Sequence, residues 1–354
     1  MGALTVFPSY FFKEQSQITL EHHMDFIDVR QLFKEDLSKV EESIQENYKS
    51  DVPLIPGISG YLMKGGGKRF RPLLLLISGR LCGSTADEKI IRHGCVVEYV
   101  HAATLLHDDV VDETTLRRGR ETVNSKWGND ASILVGDFLL SRAILLVTLN
   151  SDSRVMKAIS ESAKTLVEGG ILEYTHARKL EVTEHHCLDV IRRKTASLIS
   201  VCCRIGAILA ESDPEAEEAL TAYGDNLGMA FQLVDDVMDY DGDEEVLGKP
   251  PGTDLKEGHV TLPLLHLYQN GSPQLQKNIE GFVQNENLTG KELEYVVDRM
   301  RKTKSLEYCL DLARDHIEKA KASLKTVGFP APEYQEALNT VADHVIERYT
   351  AAKI

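Results

Sequence analysis

The sequence predicts an all-α fold, and three observations support this prediction. No proline occurs in the 141 residues between Pro72 and Pro214, and a proline-free stretch of this length favours long helices. Apolar residues within it recur at helical spacing, as at Ile133, Leu134 and Phe138. Strand signals are weak, because Val and Ile clusters lie inside long patterns rather than between turn signals. We therefore expect about ten to thirteen helices, given that helices usually run 8–20 residues.

Glycine, proline and asparagine mark where these helices should end. Breaks are predicted at residues 65–67, 82–84, 128–129, 150–153, 212–214, 248–258, 269–273 and 328–332. None has the composition of a domain linker, and no repeat of fixed period occurs. We expect a loosely ordered N-terminal extension over residues 1–24 and a single large helical domain over residues 25–354. The first residues lack the basic leader and small-residue cleavage site of a signal peptide.

Composition and charge exclude several classes of function. The formal net charge of -15 argues against a surface that binds nucleic acid or anionic lipid, so no nucleic-acid partner is expected. The longest uncharged run, 258–276, is interrupted by two prolines, so no membrane span is predicted. The six cysteines form no CxxC pair, which favours a reduced, cytoplasmic setting without a zinc site.

An acidic motif lies in the stretch LLHDDVVDETTLRRGR, residues 105–120. In a helix, Asp108 and Asp112 would lie one turn apart on the same face. An acidic pair at this spacing can be a solvated surface. Here Leu106 and Val110 place apolar residues around the acids, which indicates a helix packed in the interior.

The same spacing recurs in FQLVDDVMDYDGD, where Asp235, Asp236 and Asp239 again interrupt an apolar helix. Two acidic clusters in hydrophobic helices suggest one cleft in which divalent cations neutralise both. Oxygen ligands without a nearby histidine or cysteine fit Mg²⁺ better than zinc. Such an ion usually keeps waters and bridges to a substrate phosphate.

Basic residues near both motifs indicate phosphate binding. Arg117 and Arg118 follow the first acidic motif, and guanidinium groups bind phosphate oxygens in bidentate fashion. A second basic cluster, GGGKRFRP, places Lys68, Arg69 and Arg71 on a glycine-rich segment that enters a helix. Together with the two acidic motifs, this second cluster predicts a second anionic substrate.

Five ordered motifs resemble those of the trans-isoprenyl diphosphate synthases, especially the long-chain polyprenyl branch. They are GGGKRFRP, LLHDDVVDETTLRRG, RRKTASL, GMAFQLVDDVMDYDGD and GKPPGTDLKEGHVTLP. The resemblance implies helices around a central cavity, a homodimer, and Mg²⁺ as the cofactor, with about three ions in each active site. It also implies repeated condensation of isopentenyl diphosphate with an allylic diphosphate, giving a long-chain all-trans polyprenyl diphosphate for quinone side chains.

The resemblance assigns roles to individual residues. The metal ligands it implies are Asp108, Asp112 and Asp235, with Asp109, Asp236 and Asp239 as supporting acids. Contacts to the allylic substrate are implied for Lys194, Thr195, Gln232, Lys249 and Arg117. The isopentenyl diphosphate pocket would contain Lys68, Arg71, His101 and Arg118. The catalytic set is Asp108, Asp112, Lys194 and Asp235.

Three positions depart from the family pattern and are left out of this set. Members of the family often have an acid and an amide where this chain has Gly170 and Glu173, and some have lysine in place of His259.

Product length is predicted from the residues just before the first aspartates. Family members that make short products commonly have an aromatic side chain four or five residues before Asp108, where this chain has Thr104 and Ala103. One helical turn, about 5.4 Å, is close to the length of one isoprene unit. Small side chains here therefore predict an open groove and a long product.

Several other functions remain open from the residues alone. A short-chain synthase would share every motif, and a class I terpene cyclase or a non-catalytic partner subunit would share some of them. An acidic calcium-binding helical protein is the alternative outside enzymes. The stretch 239–243 only partly imitates a calcium loop, and it lacks the terminal glutamate.

Overall fold

A computed structural model describes residues 24–64, 69–85, 88–117, 119–149, 152–242, 251–285 and 288–351. The expected N-terminal extension, apart from Met24, lies outside these residues. The described chain is helical throughout except for its loops and one hairpin of two-residue strands, β1 Leu116–Arg117 and β2 Arg120–Glu121. The predicted all-α class is confirmed.

The helices follow one another with short connections. The first nine are α1 Phe26–Leu32, α2 Lys34–Asn47, α3 Leu54–Lys64, α4 Phe70–Leu81, α5 Glu88–Val111, α6 Val123–Trp127, α7 Asn129–Thr148, α8 Ser153–His176 and α9 Glu184–Ile191. A π-helical turn, Arg192–Ala196, leads into α10 Ser197–Leu209 and α11 Pro214–Asp241. The remaining helices are α12 Thr253–Glu257, α13 Leu262–Gln269, α14 Pro273–Val283, α15 Gly290–Lys302, α16 Ser305–Ser323 and α17 Glu333–Ala351, with a 3₁₀ turn at Leu324–Thr326.

The described ranges contain seventeen helices, more than the ten to thirteen that the sequence predicts, and the difference lies in the short ones. Within the described ranges, twelve helices have 11 residues or more. Five further segments of five to eight residues are too short to give a periodic apolar pattern, so the sequence did not reveal them.

Helix α10 lies at the centre of the molecule. Its sequence SLISVCCRIGAIL is apolar on nearly every side, and such a helix must be enclosed by others. Accordingly it packs between α4 and α11, and α11 packs in turn against α16 and α17. Helix α5 packs against α7, α4 and α2. The ends of α5 and α11, which carry the two acidic motifs, are thereby held by the core.

Glycine allows α11 to approach the π-helical turn. A Cβ on Gly228 would lie 2.4 Å from Cα of Ala196, a distance that real side chains do not adopt. A side chain at this position would therefore push apart the two elements that carry Gln232 and Thr195.

One described helix, α7, is long and apolar enough to cross a membrane, with a mean hydropathy of 1.8. This is weak evidence for a span, since core helices of soluble proteins meet the same criterion. The helix also carries Asp130, Asp137 and Arg142, and it packs against α5 along its length.

Candidate active site

The first acidic motif lies where α5 ends. Asp108 is helical, and Asp112 follows the last helical residue, yet its N–H still donates to the carbonyl of Asp108 at 2.8 Å. The helical spacing predicted for this pair is therefore preserved in the turn. Burial raises the pKa of the Asp108 carboxyl, Lys194 opposes this, and the negative charges of Asp112 and Glu173 add to the increase. A carboxylate in this environment would be stabilised by a cation.

Asp109 has a different environment from Asp108 and Asp112. It is almost fully buried, and its Oδ1 accepts a hydrogen bond of 2.9 Å from Nε of Arg117 and forms an ion pair of 2.8 Å with Nη2. The amide of Asn124 donates to its carbonyl at 2.9 Å, which fixes the turn after α5. In this structure Asp109 thus positions Arg117 on the hairpin.

The second acidic motif lies near the C-terminal end of α11. Asp235 is partly exposed, and its Oδ1 accepts a hydrogen bond of 2.6 Å from Arg348 of α17. Asp236 is buried and accepts from Gln232 at 2.8 Å, while Gln232 itself accepts from the hydroxyl of Thr195 at 2.7 Å. This chain of hydrogen bonds joins two predicted substrate contacts, Thr195 and Gln232, to a predicted supporting acid, Asp236.

Asp239, the third acid of this motif, is buried under the following loop. Its Oδ2 accepts the backbone N–H of Asp254 at 3.1 Å, and its carbonyl accepts the N–H of Gly252 at 2.7 Å. Asp239 therefore anchors α12 to α11, and its role as a metal ligand stays a prediction.

Lys194 reaches the first motif because it lies in the π-helical turn. Such turns are often found at functional sites, where the wider turn changes the direction of a side chain. Its ammonium group forms an ion pair with Glu173 of α8. Burial alone would lower the pKa of Lys194, but Glu173 and Asp108 outweigh it, so the pKa is raised and the group stays charged.

Two residues omitted from the sequence prediction also belong to this site. Lys194 and His259 hold the pKa of Glu173 low against the effect of its burial. The ring of His259 lies 3.7 Å from a carboxylate oxygen of Asp112. Glu173 and Asp254 raise the pKa of His259 although burial opposes them. Glu173 and His259 both depart from the family pattern, and this departure is the only feature of the sequence that singles them out.

The predicted basic residues lie in several places. His101, Arg117 and Arg120 line one cavity between α3, α5, the hairpin and α6. The guanidinium of Arg120 lies 4.3 Å from the ring centre of Tyr61. Arg71 lies in the first turn of α4. Lys68, Arg118 and Lys249 lie outside the described residues, so their predicted contacts stay untested.

Arg69, two residues before Arg71, has a structural role. Its guanidinium forms ion pairs of 2.8 Å with Glu41 and with buried Glu98, and it donates to the carbonyl of Met63 at 3.0 Å. These contacts hold Arg69 in a left-handed conformation (φ 48°) just before α4. The strain of this conformation is offset by the three contacts.

The residues predicted to limit product length lie on α5, one turn before Asp108. Ala103 is 2% exposed, and Thr104 is half-buried with its hydroxyl bonded to the carbonyl of His101 at 2.8 Å. Both side chains are small, so no aromatic ring lies at either position one turn before Asp108.

Comparison with known proteins decides the family. The sequence pattern of the family described as polyprenyl synthetase matches residues 52–300. The chain belongs to the polyprenyl synthetase family. It is 38% identical over 326 residues to the octaprenyl diphosphate synthase of Escherichia coli, covering 92% of this chain and 99% of that protein. The resemblance inferred from the five motifs is confirmed.

Solved structures of the polyprenyl synthetase family have the same fold as this chain. A polyprenyl synthase from Caulobacter crescentus, crystallised with calcium and isoprenyl diphosphate, superposes with a TM-score of 0.87 at 35% identity, covering 92% of this chain and 98% of that one. A decaprenyl diphosphate synthase from Rhodobacter capsulatus gives 0.86 at 35% identity, covering 92% and 99%. Membership of the polyprenyl synthetase family makes this protein a prenyltransferase. The individual residue roles stay predictions.

Proposed function

We propose that this polyprenyl synthetase uses Mg²⁺ to condense isopentenyl diphosphate repeatedly with an allylic diphosphate primer, giving a long-chain all-trans polyprenyl diphosphate. The observation that carries the proposal is the convergence of charged side chains from distant segments. Lys194 of the π-helical turn and Glu173 of α8 both act on the pKa of Asp108 of α5 and on that of each other, and Glu173 also acts on the pKa of Asp236 of α11. Both acidic motifs therefore border one site.

The side chains at this site suit a hard divalent cation. Asp108, Asp112 and Asp235 supply carboxylate oxygens, the ligand type that Mg²⁺ prefers. Repulsion from Asp112 and Glu173 helps to raise the pKa of Asp108, and a bound dication would remove that repulsion. When bound, the cations supply charge that stabilises the diphosphate leaving group.

The remaining groups of the site suit an allylic diphosphate. The charged ammonium group of Lys194 faces the acids and can bind phosphate oxygens once Glu173 shares it. Thr195 and Gln232 are held by their hydrogen bonds to each other and to Asp236, so their polar groups are preorganised.

The cavity lined by His101 and Arg117 suits the second diphosphate. Arg117 keeps a fixed orientation because buried Asp109 forms a hydrogen bond and an ion pair with its guanidinium, and the side chain is 40% exposed. A cation held in place beside an imidazole can bind isopentenyl diphosphate next to the allylic carbon. Arg117 is therefore proposed for this substrate, rather than for the allylic diphosphate to which the resemblance assigns it.

In the reaction the allylic C1–O bond breaks, and diphosphate leaves with the electron pair. The double bond of isopentenyl diphosphate forms the new carbon–carbon bond with C1, and a proton is then lost to the departed diphosphate. Lys194 stabilises the developing negative charge, since cationic groups positioned before the reaction act at such charge. The product is an allylic diphosphate one isoprene unit longer, so the cycle repeats.

Long products are supported by the small side chains before the first motif and by the relatives. Ala103 and Thr104 leave the direction of chain growth free of aromatic rings. The similar proteins of E. coli and R. capsulatus are named for octaprenyl and decaprenyl products. Quinone side chains are the use that we propose for such a product.

We also propose a homodimer whose contact surface is the outer face of α7. Five large apolar side chains are between 40% and 66% exposed on α7 and at the residue after it: Ile133, Leu134, Ile144, Leu145 and Leu149. On the neighbouring α8, Val167 and Ile171 are exposed as well. A second copy packed against this face would remove these apolar side chains from water. Leu134→Glu combined with Leu145→Glu should give a monomer in light scattering.

A cytoplasmic location is proposed from the cysteines. All six are free and buried, which fits a chain that folds under reducing conditions.

One experiment tests the proposed reaction. The purified protein is incubated with Mg²⁺, isopentenyl diphosphate and each short allylic primer in turn, and the dephosphorylated products are separated by chromatography. A ladder that ends in long all-trans alcohols supports the proposal. Cyclic hydrocarbons, or products that stop after one to three additions, would contradict it.

A further inference from the structure

The two strands of the hairpin place two arginines opposite each other. In the antiparallel register, Arg117 of β1 is paired with Arg120 of β2. Side chains of directly opposed residues project from the same face, with Cβ atoms about 4.5–5.5 Å apart, and like charges in such a pair repel each other. Both arginines line the cavity between α3, α5, the hairpin and α6, so their charges act on the same enclosed space. An anion bound between the two guanidinium groups would relieve this repulsion.

Among the described residues, three arginines line this cavity, and two of them already have a carboxylate partner. Arg69 forms an ion pair of 2.8 Å with Glu98. Arg117 forms an ion pair of 2.8 Å with Asp109. Arg120 is half-buried and forms no ion pair with a carboxylate in the described part of the chain. Its positive charge is therefore the one that an anion in the cavity can neutralise.

Tyr61 of α3 holds Arg120 in this position. Its hydroxyl donates to the carbonyl of Glu121 at 2.9 Å, which ties β2 to α3, while the Glu121 side chain is exposed. The guanidinium of Arg120 lies 4.3 Å from the centre of the Tyr61 ring, which is the distance of a cation–π interaction. A contact of this kind orients the guanidinium without placing a carboxylate on its N–H donors, so these stay available for phosphate oxygens.

We propose that Arg120 binds a diphosphate group in this cavity, and that Tyr61 is the residue that positions it. Guanidinium groups bind phosphate oxygens in bidentate geometry, so Arg120 and Arg117 can hold one diphosphate from two sides. Arg120 lies just after the motif LLHDDVVDETTLRRG, which is why the sequence did not assign it a role. That the diphosphate belongs to isopentenyl diphosphate rests on the proposed function, whereas the binding of diphosphate by Arg120 does not.

The first test measures binding without turnover. The protein is titrated in a calorimeter with isopentenyl diphosphate and, separately, with inorganic diphosphate, in the presence of a chelator and without primer. Because the acidic motifs repel diphosphate when no divalent cation is bound, the titration reports on the basic cavity. Arg120→Gln should weaken the binding of both ligands about tenfold, the effect of losing one charge-assisted hydrogen bond. Arg120→Lys keeps the charge and should recover part of the affinity.

Lys126→Gln is the matched control. The ammonium group of Lys126 lies 4.4 Å from the centre of the same Tyr61 ring and 4.8 Å from that of Trp127. Lys126 is not among the described residues that line the cavity. Its replacement removes an equal charge from the same aromatic cluster, so the affinity for diphosphate should change by about twofold or less.

A double-mutant cycle tests the role of Tyr61. Tyr61→Leu should weaken diphosphate binding in the unaltered protein but add little to the loss in Arg120→Gln, because Tyr61 acts through Arg120. Tyr61→Phe keeps the ring and should stay closer to the unaltered protein. Losses that add fully in the double variant would overturn the positioning role.

Steady-state kinetics separate this proposal from the proposed function. Arg120→Gln should raise KM for isopentenyl diphosphate about tenfold and leave KM for the primer unchanged. Equal diphosphate affinity in Arg120→Gln and the unaltered protein would overturn the role of Arg120 even if long products form, and so would an equal loss in Lys126→Gln. Weaker diphosphate binding in Arg120→Gln, in a protein that makes no polyprenyl product, would support the site and contradict the proposed function.

Discussion

Nη2 of Arg348 donates a hydrogen bond of 2.6 Å to Oδ1 of Asp235, although the two residues lie 113 positions apart in the chain. The guanidinium also lies 4.2 Å from the ring centre of Phe231, one turn before Asp235. The last helix of the described chain thus places a cation on the first carboxylate of the second acidic motif, a predicted metal ligand. A metal ion at the proposed Asp235 site would compete with Arg348 for this oxygen.

We expect Arg348→Met to tighten metal binding. Removing the competing guanidinium should raise the Mg²⁺ affinity of the substrate-free protein about threefold to tenfold, the range expected for a partly exposed charged hydrogen bond. Calorimetric titration measures this directly. Arg348→Lys is the matched control because it keeps the charge, and its affinity should stay near that of the unaltered protein. An unchanged affinity in Arg348→Met would show that the ion does not use Asp235.

Asp108→Asn and Asp235→Asn should each reduce turnover about a thousandfold, because stabilisation of the leaving diphosphate is lost. Steady-state rates with saturating substrates measure the effect, and circular dichroism should confirm that the helices remain. Asp130→Asn, at an exposed acid in the first turn of α7, is the control and should be fully active. Near-normal turnover in either active-site variant would refute the metal-binding role.

Replacing Arg71 should affect substrate binding, whereas replacing Arg69, just before α4, should affect stability. Arg71→Ala should raise KM for isopentenyl diphosphate much more than KM for the primer, since a charged contact to one substrate is lost. Arg69→Ala should instead lower the free energy of unfolding by about 3 kcal/mol, because buried Glu98 loses its partner. Substrate kinetics and urea denaturation separate the two effects. An equal rise of both KM values in Arg71→Ala would mean that its pocket is misassigned.

Ala103→Tyr should shorten the product by several isoprene units while the first condensation persists. The ring would occupy the space beside α5 through which the chain is expected to grow. Because Ala103 is nearly fully buried, its thermal unfolding must be checked, and Thr104→Tyr at the half-buried neighbouring position is the second variant. Chromatography of the dephosphorylated products gives the length. Unchanged length in both variants would show that the product does not pass this turn.

His316 should make the protein less stable in mild acid. Burial, together with the positive charges of Lys319 and Arg192, lowers the pKa of His316 to about 4. Its Nδ1 lies 2.8 Å from Oδ1 of Asn226. The unfolded chain therefore binds a proton at this histidine below about pH 6.5, whereas the folded chain binds it only below about pH 4. Stability from this group is complete above about pH 6.5 and falls by about 3 kcal/mol as the pH drops to about 4.

Urea denaturation across this window measures the effect. His316→Gln should flatten the pH profile, whereas His185→Gln, at an exposed position, should leave it unchanged. An identical slope in His316→Gln and the unaltered protein would contradict the assignment.

The sequence by itself determined the features that depend on local spacing. Helical periodicity and the absence of proline gave the all-α class and the number of long helices, because both act within one helix. The separation of Asp108 and Asp112 survives even though α5 ends between them, since the hydrogen bond between their backbones depends only on neighbouring residues. The order of the five motifs was sufficient to predict the family.

Only the tertiary structure decided which charges meet. Arg69 and Arg71 look alike in the sequence, but the packing of α2 and α5 pairs Arg69 with Glu41 and Glu98. The ion pair of Glu173 with Lys194, and the position of His259 beside Asp112, depend on how α8, the π-helical turn and the loop after α12 pack together. A charge acts through space over a few ångströms, whereas these partners are many residues apart in the chain, so no local pattern can reveal the pairing.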